Sequence, residues 1–257
     1  IIIGYFLFDD IPTIRTIIGV IIVMSDITRQ KQLEKIRQQF VANVSHELKT
    51  PITSIIGYMD ILKKGLVSEE QNGHFIERVY RQSKRLNNIV DDLLKLSRIE
   101  SQEDDDTIQF IEQPLEPIIE LAIDDIRLNY PKKDLLFQIK CDPIININAD
   151  AQLLREAIKN LLDNAVKYGQ DDSKIVISFN KSNNIKIIVH NKGAPIAKKY
   201  YNRIFQRFYR IDKSRSREAA GTGLGLAIVK HIALVHGGSV SVQSDIDSGT
   251  SFIISFP

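Results

Sequence analysis

Residues 40–58 read FVANVSHELKTPITSIIGY, and two patterns overlap in them. Apolar residues recur every three or four positions, the period of a helix with one face turned to a core. Among them lie three side chains capable of chemistry, His46, Glu47 and Thr50. His46 and Thr50 are one turn apart on a single face, and Glu47 lies about 100° around the helix with a side chain long enough to reach back. Pro51 cannot donate to the carbonyl of Glu47 and crowds it, so a bend is expected within a turn of His46. A lone histidine on an exposed helix ordinarily has no chemical role. One flanked by a carboxylate and a hydroxyl can be a nucleophile, because a neutral imidazole attacks well near neutral pH and a carboxylate stabilises the cation that develops on the ring.

The helical period extends outward through Leu33, Ile36, Phe40, Val44, Leu48, Ile52, Ile55, Met59 and Leu62, predicting one long amphipathic helix from Arg29 to about Lys64, ended by Gly65. Beyond a short turn, Phe75, Val79, Leu86 and Leu93, with Ile89 and Leu96 interleaved, predict a second long helix that ends near Glu100. Such a hairpin cannot cover its own apolar stripe. The expected solution is a four-helix bundle made by two chains, a homodimer with Leu86 and Leu93 in its seam. The alternative is a hairpin packed on the chain's own second domain. Upstream, the β-branched run TIIGVIIVM at 16–24 predicts a strand that feeds the first helix, with Asp26 or Thr28 as its cap.

The acidic stretch 101–106 breaks the heptads and reads as a linker. After it, strand-like runs at 107–112, 135–140, 144–148, 174–180, 184–190, 239–244 and 251–256 alternate with helix-like runs at 115–129, 150–167 and 223–236. That mixture predicts an α+β or α/β sandwich with helices on one face of a mixed sheet.

Composition narrows the function. The 34 basic and 32 acidic residues leave a net charge of +2, so no global field points to nucleic acid or to a lipid surface. The single cysteine, Cys141, excludes an internal disulfide and a Cys-rich zinc site. The longest apolar runs, 1–8 and 17–24, fall well short of the roughly 20 residues that cross a bilayer. A chain that opens on Ile with no signal peptide reads as a cytoplasmic piece of a longer protein, with a membrane anchor upstream as an open expectation.

Three further segments carry chemistry. REAIKNLLDNAVKYG (155–169) sets Asn160, Asn164 and Lys167 along one helical face, where an amide oxygen can ligate a hard cation and a lysine can meet phosphate. GTGLGLAIVKHI (221–232) opens a helix with Gly221, Gly223 and Gly225, and unpaired N–H groups at a helix start favour phosphate. No strand precedes it, as a dinucleotide-binding turn would need, and it lacks the Gly-Lys-Ser/Thr of a Walker loop. RIFQRFYRID (203–212) and the basic stretch with Lys213, Arg215 and Arg217 lie just before it.

The run S-H-E-L-K-T-P resembles the phosphoacceptor box of the two-component sensor histidine kinase family. That resemblance implies that His46 is the phosphorylated nucleophile, Glu47 its proton acceptor or orienting partner, and Thr50 the residue that positions water when the partner is dephosphorylated. N-L-L-x-N-A-x-K-Y resembles the family's N box, making Asn164 the Mg²⁺ ligand, Lys167 a phosphate contact and Tyr168 part of the adenine wall, with Asn160 beside them. Residues 203–212 resemble the F box, in which Phe205 and Phe208 anchor an ATP lid and Arg210 reaches the phosphates. Gly221, Thr222, Gly223, Leu224 and Gly225 resemble the second glycine box, and SGTSF, with Thr250, the last one. Where the family has Asp-x-Gly-x-Gly, this chain has Asn191-Lys192-Gly193-Ala194-Pro195, which removes a carboxylate from adenine recognition.

The implied architecture is an α-helical hairpin followed by an ATP-binding α/β sandwich of the gyrase, chaperone and histidine-kinase type. Residues 1–28 resemble the tail of a PAS sensor domain, 29–102 the dimerisation and phosphotransfer domain, and 103–257 the catalytic domain. The implied activity is autophosphorylation with ATP and Mg²⁺ and transfer to a response regulator, in a protein similar to membrane-linked kinases of Gram-positive bacteria. A docking scaffold that binds nucleotide poorly is one competitor. An ATPase of the gyrase and chaperone superfamily is another, and it would have no use for S-H-E-L-K-T-P.

Overall fold

The computed structural model describes residues 14–101, 108–141, 145–211 and 221–257. Helix α1, Ile14–Lys63, contains Pro51 without interruption of the helix. The strand expected at 16–24 is therefore corrected to helix. β-Branched residues favour strands chiefly where a pleated neighbour packs on them, and every strand among the described residues lies beyond 110 and pairs elsewhere. A sensor-domain reading of 1–28 loses the strand on which it rested, and residues 1–13 lie outside the described residues.

The chain divides into two compact units, Ile1–Thr50 and Pro51–Pro257. In the second, α1 stops where Gly65 takes the left-handed conformation (φ 63°) and Leu66 N–H donates to the Ile61 carbonyl. Helix α2, Glu69–Ser101, then returns. Tyr58 of α1 meets Phe75 of α2 edge-on at 5.8 Å, and Arg78 lies over the Tyr58 ring. Leu86 and Leu93 are half-buried, whereas Ile56, Met59, Ile76, Tyr80 and Leu94 are exposed on the hairpin.

The rest of this unit is built as its hydrophobic pattern requires. Strands β1 (Ile111–Pro114) and β3 (Asn146–Ala149) form an antiparallel pair. A five-stranded sheet has the order β2 (Phe137–Cys141), β4 (Ile175–Lys181), β5 (Ile185–Asn191), β7 (Gly249–Phe256), β6 (Ser239–Asp245). Only β2 and β4 run parallel. Alternation along β4, β5 and β7 buries Ile177, Phe179, Ile187, Val189, Phe252 and Ile254 on one face. Against that face lie α4 (Ala151–Tyr168) and α5 (Gly225–Val235), and α3 (Leu115–Asn129) packs on α4. Asp150 caps α4 by accepting from the N–H groups of Gln152 and Leu153, each at 3.0 Å.

Part of the hairpin packs on this body, the alternative to full burial between two chains. Ile89, Leu96 and Ile99 of α2 are buried, and α2 runs against α5. An ion cluster rims the seam: Glu100 meets Arg207 and stands 3.2 Å from His231 Nε2. Burial, then the cations of Arg207 and Lys230, push the His231 imidazole down to about 4. Its buried Nδ1 finds no hydrogen-bond partner among the described residues, as suits a neutral ring that donates from Nε2 to Glu100.

Leu161 is 1% exposed on the inner face of α4, so Leu161→Ala should lower the unfolding free energy by about 2–5 kcal/mol in a urea titration. Leu128→Ala, at a site 79% exposed, should change it by less than about 0.5 kcal/mol. A second prediction follows from His231. Unfolded chains take up a proton as pH falls below 6.5 while the folded ring resists until about 4, so this contribution is complete above pH 6.5 and is lost on descent towards 4. His231→Gln should lose less stability than the parent between pH 7 and pH 4.5, measured as urea midpoints; equal losses would refute it.

Candidate nucleotide site and phosphoacceptor helix

The candidate nucleotide site is organised by α4. Its inner stripe, Leu154, Ala157, Ile158, Leu161, Leu162, Ala165 and Val166, is buried, which turns Asn160, Asn164 and Lys167 to another side of the helix. Asn160 Nδ2 donates to the Glu156 carbonyl at 2.9 Å. Its Oδ1 lies 2.8 Å from where a Cβ on Gly225 would stand, so the glycine run lies directly on this polar face. Gly221 is close enough to Lys167 that an added Cβ would stand 3.5 Å from Nζ. The structure therefore brings Asn160, Lys167, Gly221 and Gly225 together.

The two ends of the basic stretch are tied by backbone. Phe208 N–H donates to the Gly223 carbonyl at 2.8 Å. Both residues take positive φ, 61° and 77°, and a Cβ on Gly223 would stand 3.0 Å from the Phe208 Cα. Only glycine suits the second position. Phe205 and Phe208 are each 8% exposed, and Phe205 meets Phe252 edge-on. Both rings are therefore buried. Arg210 is half-buried at the start of the segment, while Lys213, Arg215 and Arg217 lie outside the described residues.

At the other end of α4, Tyr168 is 59% exposed and the chain is zipped to the loop after β5. Gly169 and Gly193 form an antiparallel bridge, and Gln170 N–H donates to the Lys192 carbonyl at 2.7 Å. A Cβ on Gly193 would stand 2.4 Å from the Tyr168 carbonyl oxygen, which explains glycine there. Asn191 and Thr250 pair across β5 and β7 and are each 4% exposed. Asn191 Nδ2 donates to the Lys192 carbonyl at 3.3 Å, and Thr250 shares a 2.7 Å hydrogen bond with Ser244. The asparagine that departs from the family pattern thus has a partner of its own in the loop.

Residues absent from the sequence reading also converge here. Thr222 Oγ1 donates to Asp92 of α2 at 2.6 Å, and Lys95 of α2 meets Glu156 at 2.8 Å. Burial raises the Asp92 carboxyl above its ordinary range, against the pull of Thr222, Lys95 and Lys167. Glu156 moves the other way, since Lys95 and Lys159 more than offset its burial. Nothing in the sequence marks these contacts, because they join residues 61 to 130 positions apart.

The donor set fits magnesium and a nucleotide. Among the described residues no group of three His, Cys, Asp or Glu side chains could hold a metal ion; the polar face of α4 offers amide oxygens, which suit a hard cation that keeps most of its water and phosphate ligands. On α1, His46 is exposed, Glu47 and Thr50 are half-buried, and Thr50 Oγ1 donates to the His46 carbonyl at 3.1 Å.

Comparison with known proteins agrees with both halves. Residues 36–102 match the His Kinase A (phospho-acceptor) domain, and 149–257 match the histidine kinase-, DNA gyrase B- and HSP90-like ATPase. The sensor-like histidine kinase SenX3 of Mycolicibacterium smegmatis is 34% identical over 242 residues, covering 92% of this chain and 62% of that protein. The sensor protein SrrB of Staphylococcus aureus is 32% identical over 247 residues, 93% of this chain and 41% of its own. The chain thus spans less than two thirds of either relative. Among solved structures, histidine kinase ThkA in complex with response regulator TrrA superposes with a TM-score of 0.71 at 24% identity, over 91% of this chain and 65% of that one. Acinetobacter baumannii histidine kinase AdeS gives 0.65 at 22%, over 82% and 96%. With a phosphoacceptor helix and an ATPase fold matched in one chain, this protein belongs to the two-component sensor histidine kinase family.

Proposed function

We propose that the chain is an autophosphorylating protein-histidine kinase that transfers the γ-phosphoryl group of ATP to His46 and then to an aspartate of a response regulator. It also acts as a phosphatase toward that partner. The observation that carries the nucleotide half is the contact of the glycine run with α4, Gly225 on Asn160 and Gly221 on Lys167. The proposed domains are 29–102 for dimerisation and phosphotransfer and 103–257 for catalysis. No helix among the described residues is long and apolar enough to cross a membrane, and a cytoplasmic position behind an upstream membrane anchor is part of the same proposal.

In this reading Lys167 and Arg210 meet phosphate oxygens, and the N–H groups of Gly221, Thr222, Gly223, Leu224 and Gly225 line the phosphate path. Tyr168 flanks adenine, above a floor of Asn191, Gly193 and Thr250. Asn164 would hold Mg²⁺, which when bound supplies charge neutralisation on the phosphates. A ring nitrogen of His46 attacks the γ-phosphorus, the N–P bond forms as the bond to the β-phosphate oxygen breaks, and ADP leaves. Glu47 orients the ring and takes up its proton. Thr50 serves the phosphatase step, exchanging its bond to the His46 carbonyl for one to water.

His46→Gln should bind ATP like the parent yet incorporate no acid-labile phosphate from labelled ATP, since a phosphoramidate is acid-labile and a serine phosphate is not. Asn164→Ala should slow labelling by about two orders of magnitude or more, the scale on which positioned charge acts. Full labelling of either variant would overturn its assignment. The hairpin's exposed apolar residues further support a homodimer through α1 and α2. Sedimentation at micromolar concentration should show a dimer that Leu86→Glu combined with Leu93→Glu converts to monomer; a monomeric parent would contradict the bundle.

A further inference from the structure

Where α3 ends, its C-cap residue Tyr130 turns its hydroxyl onto α4 and donates to Asp163 Oδ1 at 2.7 Å. The other oxygen of the same carboxylate, Oδ2, holds Lys167 Nζ at 2.5 Å. Lys167 in turn borders Gly221, whose added Cβ would stand 3.5 Å from Nζ. A chain of three side chains thus runs from the end of α3 to the first glycine of the phosphate-binding run. We propose that Tyr130 is a positioning residue for phosphate recognition: through Asp163 it presets the Lys167 ammonium beside Gly221, so that the lysine meets a nucleotide already placed. This rests on the reading of Lys167 as a phosphate contact.

The need for such a device follows from the weakness of its parts. An Asp and Lys four residues apart on a helix surface form a pair too weak to hold a side chain with lysine's rotamer freedom. Tyr130 changes this by binding the second carboxylate oxygen, which fixes the plane of Asp163 and so the point at which the ammonium rests. The hydrogen bond is charge-assisted, hence stronger than a neutral one. Tyr130 is itself held. Its N–H bonds to the carbonyls of Ile126 and Arg127, its carbonyl accepts from Lys133 N–H, and Pro131 ends the helix behind it. Burial and the neighbouring Asp163 carboxylate keep the phenol protonated far above neutrality, so it remains a donor. The pairing does not consume Lys167, because an ammonium carries three donors and can bridge Asp163 and a phosphate together.

The test measures two ligands on the whole chain: ATP by calorimetric titration, and adenosine, which has no phosphate, by competition. Lys167→Met should weaken ATP while leaving adenosine unchanged. Tyr130→Phe, which removes one oxygen, should weaken ATP roughly threefold to tenfold, the range of one charge-assisted hydrogen bond, also with adenosine unchanged. In the Lys167→Met background it should do nothing further. A general disturbance of the fold would weaken both ligands together, and that result would overturn the proposal. So would an unchanged or tightened ATP affinity in Tyr130→Phe when Lys167→Met loses affinity. If Lys167→Met itself kept full ATP affinity, the phosphate role of Lys167 would fall, and the inference with it.

Discussion

The burial of one face of α4 is the constraint on which the nucleotide site depends. Seven apolar side chains between Leu154 and Val166 are pressed into the core, and because successive helical residues are separated by about 100°, fixing that stripe fixes the direction of every other residue on the helix. Asn160, Asn164 and Lys167 thus take their direction from apolar residues buried on another side of the helix. The same rotation turns Asp163 towards α3 and Glu156 towards α2. A change of one residue in the phase of the stripe would separate all of these together.

Backbone approaches too close for a side chain do the remaining work. Gly225 lies on Asn160, Gly193 on the Tyr168 carbonyl and Gly223 on Phe208. The approaches at Gly225 and Gly193 tie the glycine run and the loop after β5 to α4, and the approach at Gly223 ties that run to Phe208. The last of these approaches is closed by the hydrogen bond from Phe208 N–H to the Gly223 carbonyl.

The hairpin is not confined to the company of a second chain. Ile89, Leu96 and Ile99 are buried against the body that holds the nucleotide site, and Asp92 and Lys95 extend the same seam to Thr222 and Glu156. One end of α2 therefore packs on the same body as α4 and α5, while Ile76, Tyr80 and Leu94 stay exposed. Asp92 accepts a hydrogen bond from Thr222, so the glycine run is tied to the hairpin as well as to α4.

Much of this was legible in the sequence because it is local. Periodicity located α3 at 115–129 to the residue and most strands within two residues, since burial on one face imposes its own spacing. His46, Glu47 and Thr50 sit within five residues, and the N box and glycine run each carry their pattern in one short stretch. The same local reasoning failed at 16–24, where β-branched residues lie in a helix, because strand formation needs a partner that the local run does not supply. Tertiary structure alone decided the rest: that Asp92 meets Thr222, that Glu100 joins Arg207 and His231, and that Tyr130 reaches Asp163. These pairs are brought together only when separate elements pack on a common core, and no spacing along the chain records which surfaces will meet.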